Sequence, residues 1–457
     1  MKPATTIPTA LRLANGAAAA LLLNALAACS DGAPPGQEIE DAAPASQPEQ
    51  ERFRPPDRPP GRWAKFRGAT APAKDPGLSG LGYADAYVSG SELAGAIVHD
   101  ADRMEPGLTL VCTGHETSAL LLDANGQVVH RWYVDFHEVF PEPLPFKGSE
   151  HASWFIRRAW AYPDGDLLAI FEYIGIARVD VNGKPRWSLA NRSHHDVKVL
   201  ADGTIVTLDF AERSRQWIAK RYGTRRFRKG VADSHVLFLG PDGALRRRIS
   251  IFEALHSSRY APLLSTIHPD PADIFHANSV DVLDADSAAR HPRFEEGDIL
   301  VSLRNPSVLI VIDGESESVK WMTRGLSHAQ HQASFVPTGS ILMLDNCGGN
   351  QDLPLKADQS RVIEIDPATD EILWRYPSAQ NADADFLTLM LGYVERQPGG
   401  NTLVTEAIQG HLFEVTPEGD VVWEYYSPHR AGDDDELITT LMGAQRIARD
   451  RLTFLSR

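Results

Sequence analysis

Three histidines occupy the same place in three consecutive hairpin-like segments of this sequence. His195, His276 and His331 each begin such a segment, and His195 and His331 each lie eight residues before a turn glycine, Gly203 and Gly339. A neutral imidazole is a nucleophile that needs no external base. One such histidine alone is usually a hydrogen-bonded structural residue, but three at a shared position indicate a functional set.

Polar residues end the second arm of each hairpin. They are Glu172, Asp209, Arg304 with Asn305, Asp345 with Asn346, and Thr405 with Glu406. Because the first and last residues of a hairpin meet at its open end, we expect these side chains and the histidines on one face, directed at a central cavity. Arg304 can bind an oxyanion through its planar guanidinium, and Asn278 can donate an amide N–H to the same group. The set predicts a site for a sulfate-like or phosphate-like group, with one histidine, not specified by these residues, placed to accept it covalently.

The same His, Asp and Glu side chains could hold a metal ion. The ligands would come from separate segments, however, and Arg304 would repel the cation. The sequence also lacks a phosphate-binding glycine loop, a nucleophile elbow, a zincin motif and an EF-hand loop. We therefore expect neither a metal nor a cofactor.

A repeated unit extends from about residue 107 onward. It consists of an apolar segment, a turn rich in Asp and Gly, and a second apolar segment that usually ends in Trp. Its six copies lie at residues 121–132, 179–187, 237–249, 310–321, 363–374 and 413–423. Alternating apolar residues around Asp-Gly turns are typical of strands, and a second hairpin between the copies gives four strands per unit.

This period predicts an all-β fold, a six-bladed β-propeller with four-stranded blades. The propeller is expected to cover residues 107–430, with residues 431–457 closing it. A two-sheet sandwich is the structural alternative, but it predicts no such regular unit.

The N-terminus has the features of an export signal. Basic Lys2 and Arg12 precede an uncharged apolar run, residues 17–28, which is too short to span a bilayer comfortably. The run ends in Leu-Ala-Ala followed by Cys29, which resembles the lipobox of bacterial lipoproteins. The alternative is an ordinary signal peptide cleaved near Ala28.

We expect a signal peptide over residues 1–28 and a lipidated Cys29. A flexible tether rich in Pro and Ala would reach residue 75, and a lead-in segment would span residues 76–106. Such a protein would be exported and attached to a membrane only by its lipid, facing the periplasm or the cell surface.

The charge balance limits the partners. Asp and Glu number 61 against 45 Lys and Arg, a formal net charge of −16. Such a chain is a poor non-specific partner for nucleic acid. An anionic substrate would need local Arg and His side chains to overcome the overall field. The oligomeric state is left open by the sequence.

Several strings resemble the aryl-sulfate sulfotransferase family. They are His-Ala-Asn-Ser at 276–279, Ser-Leu-Arg-Asn at 302–305, Gln-His at 330–331 with Leu-Asp-Asn at 344–346, and Ser-Arg-Val-Ile-Glu-Ile-Asp-Pro at 360–367. The segment 121–132 is similar as well. The likeness covers about residues 80–430.

The resemblance implies a six-bladed propeller that moves a sulfuryl group from an aryl sulfate to a phenol through a sulfohistidine, without a nucleotide donor. His331 matches the nucleophile. His195, His276, Asn278 and Arg304 match residues that hold the sulfuryl oxygens or protonate the leaving phenolate. Thr405 matches a further substrate-binding residue, and hairpin position adds Asn305, Asn346 and Glu406.

The chain also departs from the family pattern. Gln332 stands where relatives often have Asp, His411 follows Gly410 where many have Arg, and neither the paired cysteines nor the large N-terminal β-domain of well-known members has a counterpart. These departures bear on substrate identity more than on fold, and they leave room for an inactive member.

The sequence leaves two other functions open. A non-enzymatic propeller lipoprotein could scaffold envelope partners, since the tether and acidic surface fit such a role. The segment 365–374 also resembles repeats of quinone-dependent dehydrogenases, although that family generally has eight blades.

Overall fold

The computed structural model describes residues 61–66, 69–70, 87–88, 93–140, 143–145, 154–269, 272–346, 359–382, 384–433 and 435–456. The predicted signal peptide, Cys29 and most of the predicted tether lie outside these residues, which include 61–66 and 69–70 of the tether. Cys112 lies within them and is buried, as expected for a small apolar side chain.

The described residues are mainly β-strands. In chain order these are β1 (Trp63–Lys65), β2 (Ala69–Thr70), β3 (Tyr87–Val88), β4 (Gly95–His99), β5 (Leu108–Thr113), β6 (Ser118–Leu122), β7 (Val128–Tyr133), β8 (Arg158–Ala161), β9 (Leu167–Phe171), β10 (Gly175–Val179), β11 (Pro185–Leu189), β12 (His194–Val199), β13 (Ile205–Arg213), β14 (Val231–Leu239), β15 (Leu245–Ser250), β16 (Ala277–Val282), β17 (Ile299–Leu303), β18 (Val308–Ile312), β19 (Val319–Arg324), β20 (His331–Phe335), β21 (Ile341–Asp345), β22 (Arg361–Ile365), β23 (Ile372–Tyr376), β24 (Tyr393–Arg396), β25 (Thr402–Glu406), β26 (His411–Val415), β27 (Val421–Tyr426), β28 (Arg430–Ala431), β29 (Leu437–Thr439) and β30 (Leu441–Ile447).

The helices are short and lie in connections between strands. They are α1 (Phe136–Val139), α2 (Arg215–Tyr222), α3 (Ile251–His256), α4 (Leu263–Thr266) and α5 (Ala285–Ala288), with 3-10 turns at Ala379–Asn381, Ala407–Gln409, Arg449–Arg451 and Thr453–Ser456.

The described strands form six antiparallel sheets of four or five strands, together with two smaller ones. From the inner strand outward, the large sheets are β30-β5-β6-β7, β8-β9-β10-β11, β12-β13-β14-β15, β16-β17-β18-β19, β20-β21-β22-β23 and β24-β25-β26-β27-β4. The small sheets are β1-β29-β28 and β2-β3. Strand β30 pairs with β5, so the first large sheet combines strands from both ends of the described chain.

The inner strands contact one another in sequence. Strand β8 contacts β12, β12 contacts β16, β16 contacts β20, β20 contacts β24, and β24 contacts β30, while β5 contacts β8. This circular order of four-stranded sheets confirms the predicted all-β propeller class.

The recurring tryptophans connect neighbouring sheets. In four of them the indole N–H donates to a backbone carbonyl in a turn of the next sheet: Trp132 to Gly165 (2.8 Å), Trp187 to Pro241 (3.1 Å), Trp374 to Pro417 (2.7 Å) and Trp423 to Ala124 (2.8 Å). The Trp of the repeat is therefore explained by packing, since a largely apolar ring fills the space between sheets while its N–H finds a partner.

Buried carboxylates on the inner strands make a second set of links between sheets. Asp196 accepts the N–H of Val280 (3.2 Å), Asp281 accepts that of Phe335 (2.9 Å), and Glu395 accepts that of Arg446 (2.8 Å). Each bond joins one inner strand to the next, so these carboxylates fix the spacing of the residues at the strand ends.

We expect Asp281→Ala to lower the free energy of unfolding by about 2–4 kcal/mol. The substitution leaves the half-buried Phe335 N–H without this acceptor and removes the carboxylate that pairs with Lys198. Urea denaturation measures the change. Asp420→Ala is the control, because Asp420 pairs with Arg103 at the surface (2.8 Å) and should cost less than about 1 kcal/mol. Equal losses in the two variants would contradict this role.

Candidate active site

The predicted site residues lie at one end of the hairpins. His195 is the second residue of β12, His276 directly precedes β16, and His331 begins β20. Arg304 and Asn346 directly follow β17 and β21. The start of an inner strand and the end of its antiparallel neighbour meet at the same end of a sheet, so these five positions share one face of the ring.

Backbone irregularities accompany the histidines. The pairing register shifts at the start of β12, β16 and β20. Three residues at or directly before these shifts have positive φ, namely His195 (59°), His276 (48°) and Gln332 (43°). Such φ values are uncommon outside glycine, and bulges redirect side chains. The irregularities thus set where the histidine rings lie.

Register makes His194, rather than His195, the counterpart of His331. His194 lies opposite Leu208, and His331 lies opposite Leu344. His195 and His331 are equally far from their turn glycines. The register shift after His194 nevertheless places His194, and not His195, at the position that His331 has in its own hairpin. The position of His194 could not be found from spacing alone.

The His331 ring is held in one tautomer. Its Nδ1 lies 2.7 Å from Asn346 Oδ1 and 3.2 Å from the Ala329 carbonyl oxygen. The Asn346 amide is oriented by its own nitrogen, which donates to the carbonyls of Thr388 (2.6 Å) and Leu391 (2.9 Å). Both neighbours of Nδ1 are therefore acceptors, so Nδ1 carries the proton and Nε2 carries the lone pair.

The His331 ring is also neutral. Burial lowers the pKa of His331 well below its usual value, and the nearby Arg304 charge lowers the pKa further. The hydrogen bond that His331 donates to Asn346 opposes this shift but does not reverse it. A neutral imidazole with a free Nε2 lone pair is the reactive form of a histidine nucleophile.

His276 forms a dyad with Asp273. Its Nδ1 lies 2.6 Å from Asp273 Oδ2, and its backbone N–H donates to Asp273 Oδ1 (2.8 Å). The pKa of Asp273 is lowered overall, because burial raises it but the His276 charge and hydrogen bonds outweigh burial. The carboxylate keeps the proton on His276 Nδ1, which leaves Nε2 for proton exchange.

His195 lies with its ring close to His276, His194 and Glu172. Its ring centroid is 5.0 Å from that of His276, its Nδ1 is 2.8 Å from Nδ1 of His194, and its Nε2 is 3.5 Å from Glu172 Oε1. Arg157 Nε donates to the same Glu172 oxygen (3.1 Å). Burial lowers the pKa of His195 well below its usual value, and the cationic neighbours add to this.

Hydrogen bonds of Arg304, Asn305 and Asn278 connect these segments. Arg304 is buried, and its Nη1 donates to Asn305 Oδ1 (3.1 Å), while Asn305 Nδ2 donates to the Asp273 carbonyl (2.6 Å). Asn278 Nδ2 donates to the Gln330 carbonyl (2.8 Å), next to His331. Asn278 Oδ1 is buried without a partner among the described residues. Both asparagines thus serve at least partly to position their neighbours.

Glu406 and Thr405 end β25 in different surroundings. Glu406 Oε2 accepts from His411 Nδ1 (2.9 Å), and its Oε1 accepts the N–H of Leu387 (3.1 Å). His411 Nε2 meets Glu424 Oε1 at 2.9 Å. The hydroxyl of Thr405 is buried and has no hydrogen-bond partner among the described residues. Glu406 is therefore engaged in a structural ion pair.

Sequence reasoning missed three neighbours of the predicted set: Arg157, His194 and Asp273. Arg157 is buried and lowers the pKa of both His195 and His331, so its charge lies near both rings. It directly precedes β8 and lies eight residues before Gly165, the same spacing that His195 and His331 have from their turn glycines, so this spacing could have marked it. Asp273 lies three residues before His276, a spacing that could have suggested a hydrogen-bonded turn.

Two further observations bear on the class of site. Across the part of the chain that the structure describes, no group of three or more His, Cys, Asp and Glu side chains is arranged to hold a metal ion. Over the same residues, no helix is long and apolar enough to cross a bilayer.

Comparison with known proteins identifies the family. The family model described as arylsulfotransferase (ASST) matches residues 172–428, more than half of the chain. The chain therefore belongs to the arylsulfotransferase family, a family of sulfotransferase-like enzymes. No curated protein matches it at a significant level.

Solved structures align at low identity. A Bacteroides caccae protein of unknown function is 12% identical over 74% of this chain and 98% of its own, with a TM-score of 0.47. Catalytically inactive virginiamycin B lyase from Staphylococcus aureus with quinupristin is 12% identical over 78% and 96%, with a TM-score of 0.40. BamB from Moraxella catarrhalis is 13% identical over 75% and 83%, with a TM-score of 0.31.

We expect Asn346→Asp to change the dependence of kcat/KM on pH, measured with an aryl sulfate as the donor. The acid limb of this profile should move to higher pH. A carboxylate beside Nδ1 would raise the pKa of His331, so more of the ring would be protonated in mild acid. Initial rates of phenol release between about pH 5 and pH 8 measure this shift. Asn182→Asp adds the same charge at an exposed turn and should leave the profile unchanged. An unshifted limb in Asn346→Asp would argue against the contact.

We expect the free energy of unfolding to fall between about pH 7 and pH 10 as His411 loses its proton. Burial opposes the charge, but Glu406 and Glu424 outweigh burial and raise the pKa of His411 to about 9. Since the folded pKa exceeds the unfolded value of about 6.5, the stabilisation is complete below that value and disappears as pH rises through 9.

Denaturation at several pH values measures this loss, which we expect to reach about 3 kcal/mol in the wild type. A His411→Gln variant should show a flatter dependence over the same range. A wild-type curve as flat as that of the variant would contradict the ion pair.

Proposed function

We propose that this protein transfers a sulfuryl group from an aryl sulfate to a phenol through a sulfohistidine at His331, without a nucleotide donor. The observation that carries the proposal is the state of His331: a buried neutral ring with its proton fixed on Nδ1 by Asn346. Family membership supports sulfotransferase chemistry, and the geometry supports His331 as the group that accepts the sulfuryl group.

In the first half-reaction, Nε2 of His331 attacks the sulfur of the aryl sulfate. A nitrogen–sulfur bond forms as the sulfur–oxygen bond to the ring breaks, and the electron pair leaves on the phenolate oxygen. The Nδ1 proton stays on the ring, and its hydrogen bond to Asn346 Oδ1 stabilises the positive charge that develops on the imidazole. His276, held by Asp273, supplies a proton to the phenolate.

In the second half-reaction, the acceptor phenol oxygen attacks the same sulfur. The nitrogen–sulfur bond breaks and its electron pair returns to Nε2 of His331. The phenol proton passes to Nε2 of His276, which restores the starting protonation state. One histidine thus carries the group while the other carries the proton.

Fixed positive charge supports both steps. Arg304 and Arg157 are buried, and both influence the titration of His331. Charges held in a water-poor site stabilise anionic oxygens without reorganising during the reaction. We propose that these two guanidinium groups, with His195, face the sulfuryl oxygens.

The N-terminal sequence supports an exported form of this enzyme anchored through Cys29. A compartment without nucleotide sulfate donors suits a transferase that takes its sulfuryl group from another ester. Loss of membrane association in a Cys29→Ala variant of the full chain would test this part of the proposal.

We expect His331→Ala to reduce phenol-dependent transfer from 4-nitrophenyl sulfate by about 10³-fold or more, because the variant lacks the proposed acceptor of the sulfuryl group. Nitrophenolate release and the sulfated acceptor are both measured. His291→Ala is the control, since His291 is buried in the β16–β17 connection at the opposite end of its hairpin. Wild-type protein incubated with donor alone should gain the mass of one sulfuryl group, and His331→Ala should not.

Undiminished transfer in His331→Ala would overturn the assignment of the nucleophile. A folded wild type that turns over no aryl sulfate would favour an inactive member of the family that acts as a scaffold.

A further inference from the structure

The hairpin of β13 and β14 extends beyond the other sheets at the site end. Leu208 of β13 lies opposite His194, as Leu303 of β17 lies opposite Ala277. Strand β17 ends at Leu303, whereas β13 continues for five residues beyond Leu208 to Arg213. At about 3.3 Å per residue, the hairpin rises roughly 16 Å above the level of the histidines.

This hairpin borders the site directly. The ring of Phe210 lies 6.2 Å from His194 and 5.9 Å from Tyr173. On the other strand, the N–H of Ala232 donates to the carbonyl of Ala272 (2.9 Å), the residue before Asp273. The hairpin therefore forms a wall beside the His195 and His276 side of the site.

The wall is packed into the core. Ile218 and Phe227, from the connection between the two strands, are buried in one apolar cluster with Phe252 and Phe275. Phe275 directly precedes His276. The connection, which contains α2, therefore has a fixed place relative to the site.

The charge of this connection is opposite to that of the chain. Residues 213–229 contain eight Arg and Lys and no Asp or Glu, within a protein of net charge −16. The carboxylates nearby already have partners: Glu212 pairs with Arg192 (3.2 Å), Asp233 with Arg213 (3.5 Å), and Glu253 with Arg221 (2.7 Å).

Four cations of the wall remain uncompensated. Each is exposed and has no carboxylate within ion-pair distance among the described residues. They are Arg215, Lys220, Arg225 and Arg228, called the basic rim below.

We infer that the basic rim binds a second anionic group, such as a carboxylate, on the non-reacting end of the substrate. The inference rests on the proposed function for the reacting end. Screening limits such charges to a range of about 8 Å at physiological ionic strength, so the rim acts on groups that extend alongside it. Elongated aromatic sulfates with an anionic tail would gain from the rim, and those with a neutral tail would not.

The test compares two probes of the same shape, the sulfate esters of a hydroxybiphenyl carboxylic acid and of its carboxamide. Their affinities for the full chain carrying His331→Ala are measured by calorimetry at low ionic strength, where no turnover interferes. We expect the carboxylate to bind about tenfold more tightly, with the preference falling as salt is added.

Two charge-matched variants identify the source of the preference. The rim variant is Arg215→Gln, Lys220→Gln, Arg225→Gln and Arg228→Gln. The control variant is Arg293→Gln, Arg375→Gln, Arg449→Gln and Arg451→Gln, all exposed and outside the hairpin. The preference should disappear in the rim variant and persist in the control, with equal thermal stability.

Equal binding of the two probes, or a preference that survives in the rim variant, would overturn the inference. Loss of the preference in both variants would also overturn it, since net charge alone would then be acting. Because binding is measured without turnover, a preference for the carboxylate in a protein that transfers no sulfuryl group would reject the proposed function and retain the rim.

Discussion

The hydrogen bond between His331 and Asn346 is the interaction on which the proposed chemistry depends. An imidazole has two nitrogens, and only one can carry the lone pair in the neutral ring. Asn346 can act only as an acceptor here, because its own amide nitrogen is bound to two backbone carbonyls. The choice of tautomer is thus made by the backbone at Thr388 and Leu391, far from His331 in sequence, and burial beside Arg304 keeps the ring uncharged.

The ring of sheets supplies the second constraint. His195, His276 and His331 come from three sheets, so their separation depends on how the inner strands are spaced. The carboxylates of Asp196 and Asp281 fix that spacing by accepting backbone N–H groups from the next strand. The residues that stabilise the propeller and the residues that form the site therefore lie on the same inner strands.

The sequence was sufficient for the fold class and for the common end at which the site residues lie, because both follow from local periodicity. It was insufficient for side-chain partners. Glu406 pairs with His411 and Asn346 with His331, and neither contact follows from the repeat. Arg157 was missed although it lies eight residues before Gly165, because the predicted set was defined by its histidines, and His194 was missed because its position depends on a register shift. Such contacts are set by packing between distant segments, which spacing alone does not encode.

The most direct test of the central claim is the nitrogen-15 NMR spectrum of His331, assigned by comparison with His331→Ala. We expect a protonated Nδ1 and an unprotonated Nε2 that do not change between about pH 5 and pH 8. A proton on Nε2, or a ring that titrates near its ordinary pKa of about 6.5, would contradict it.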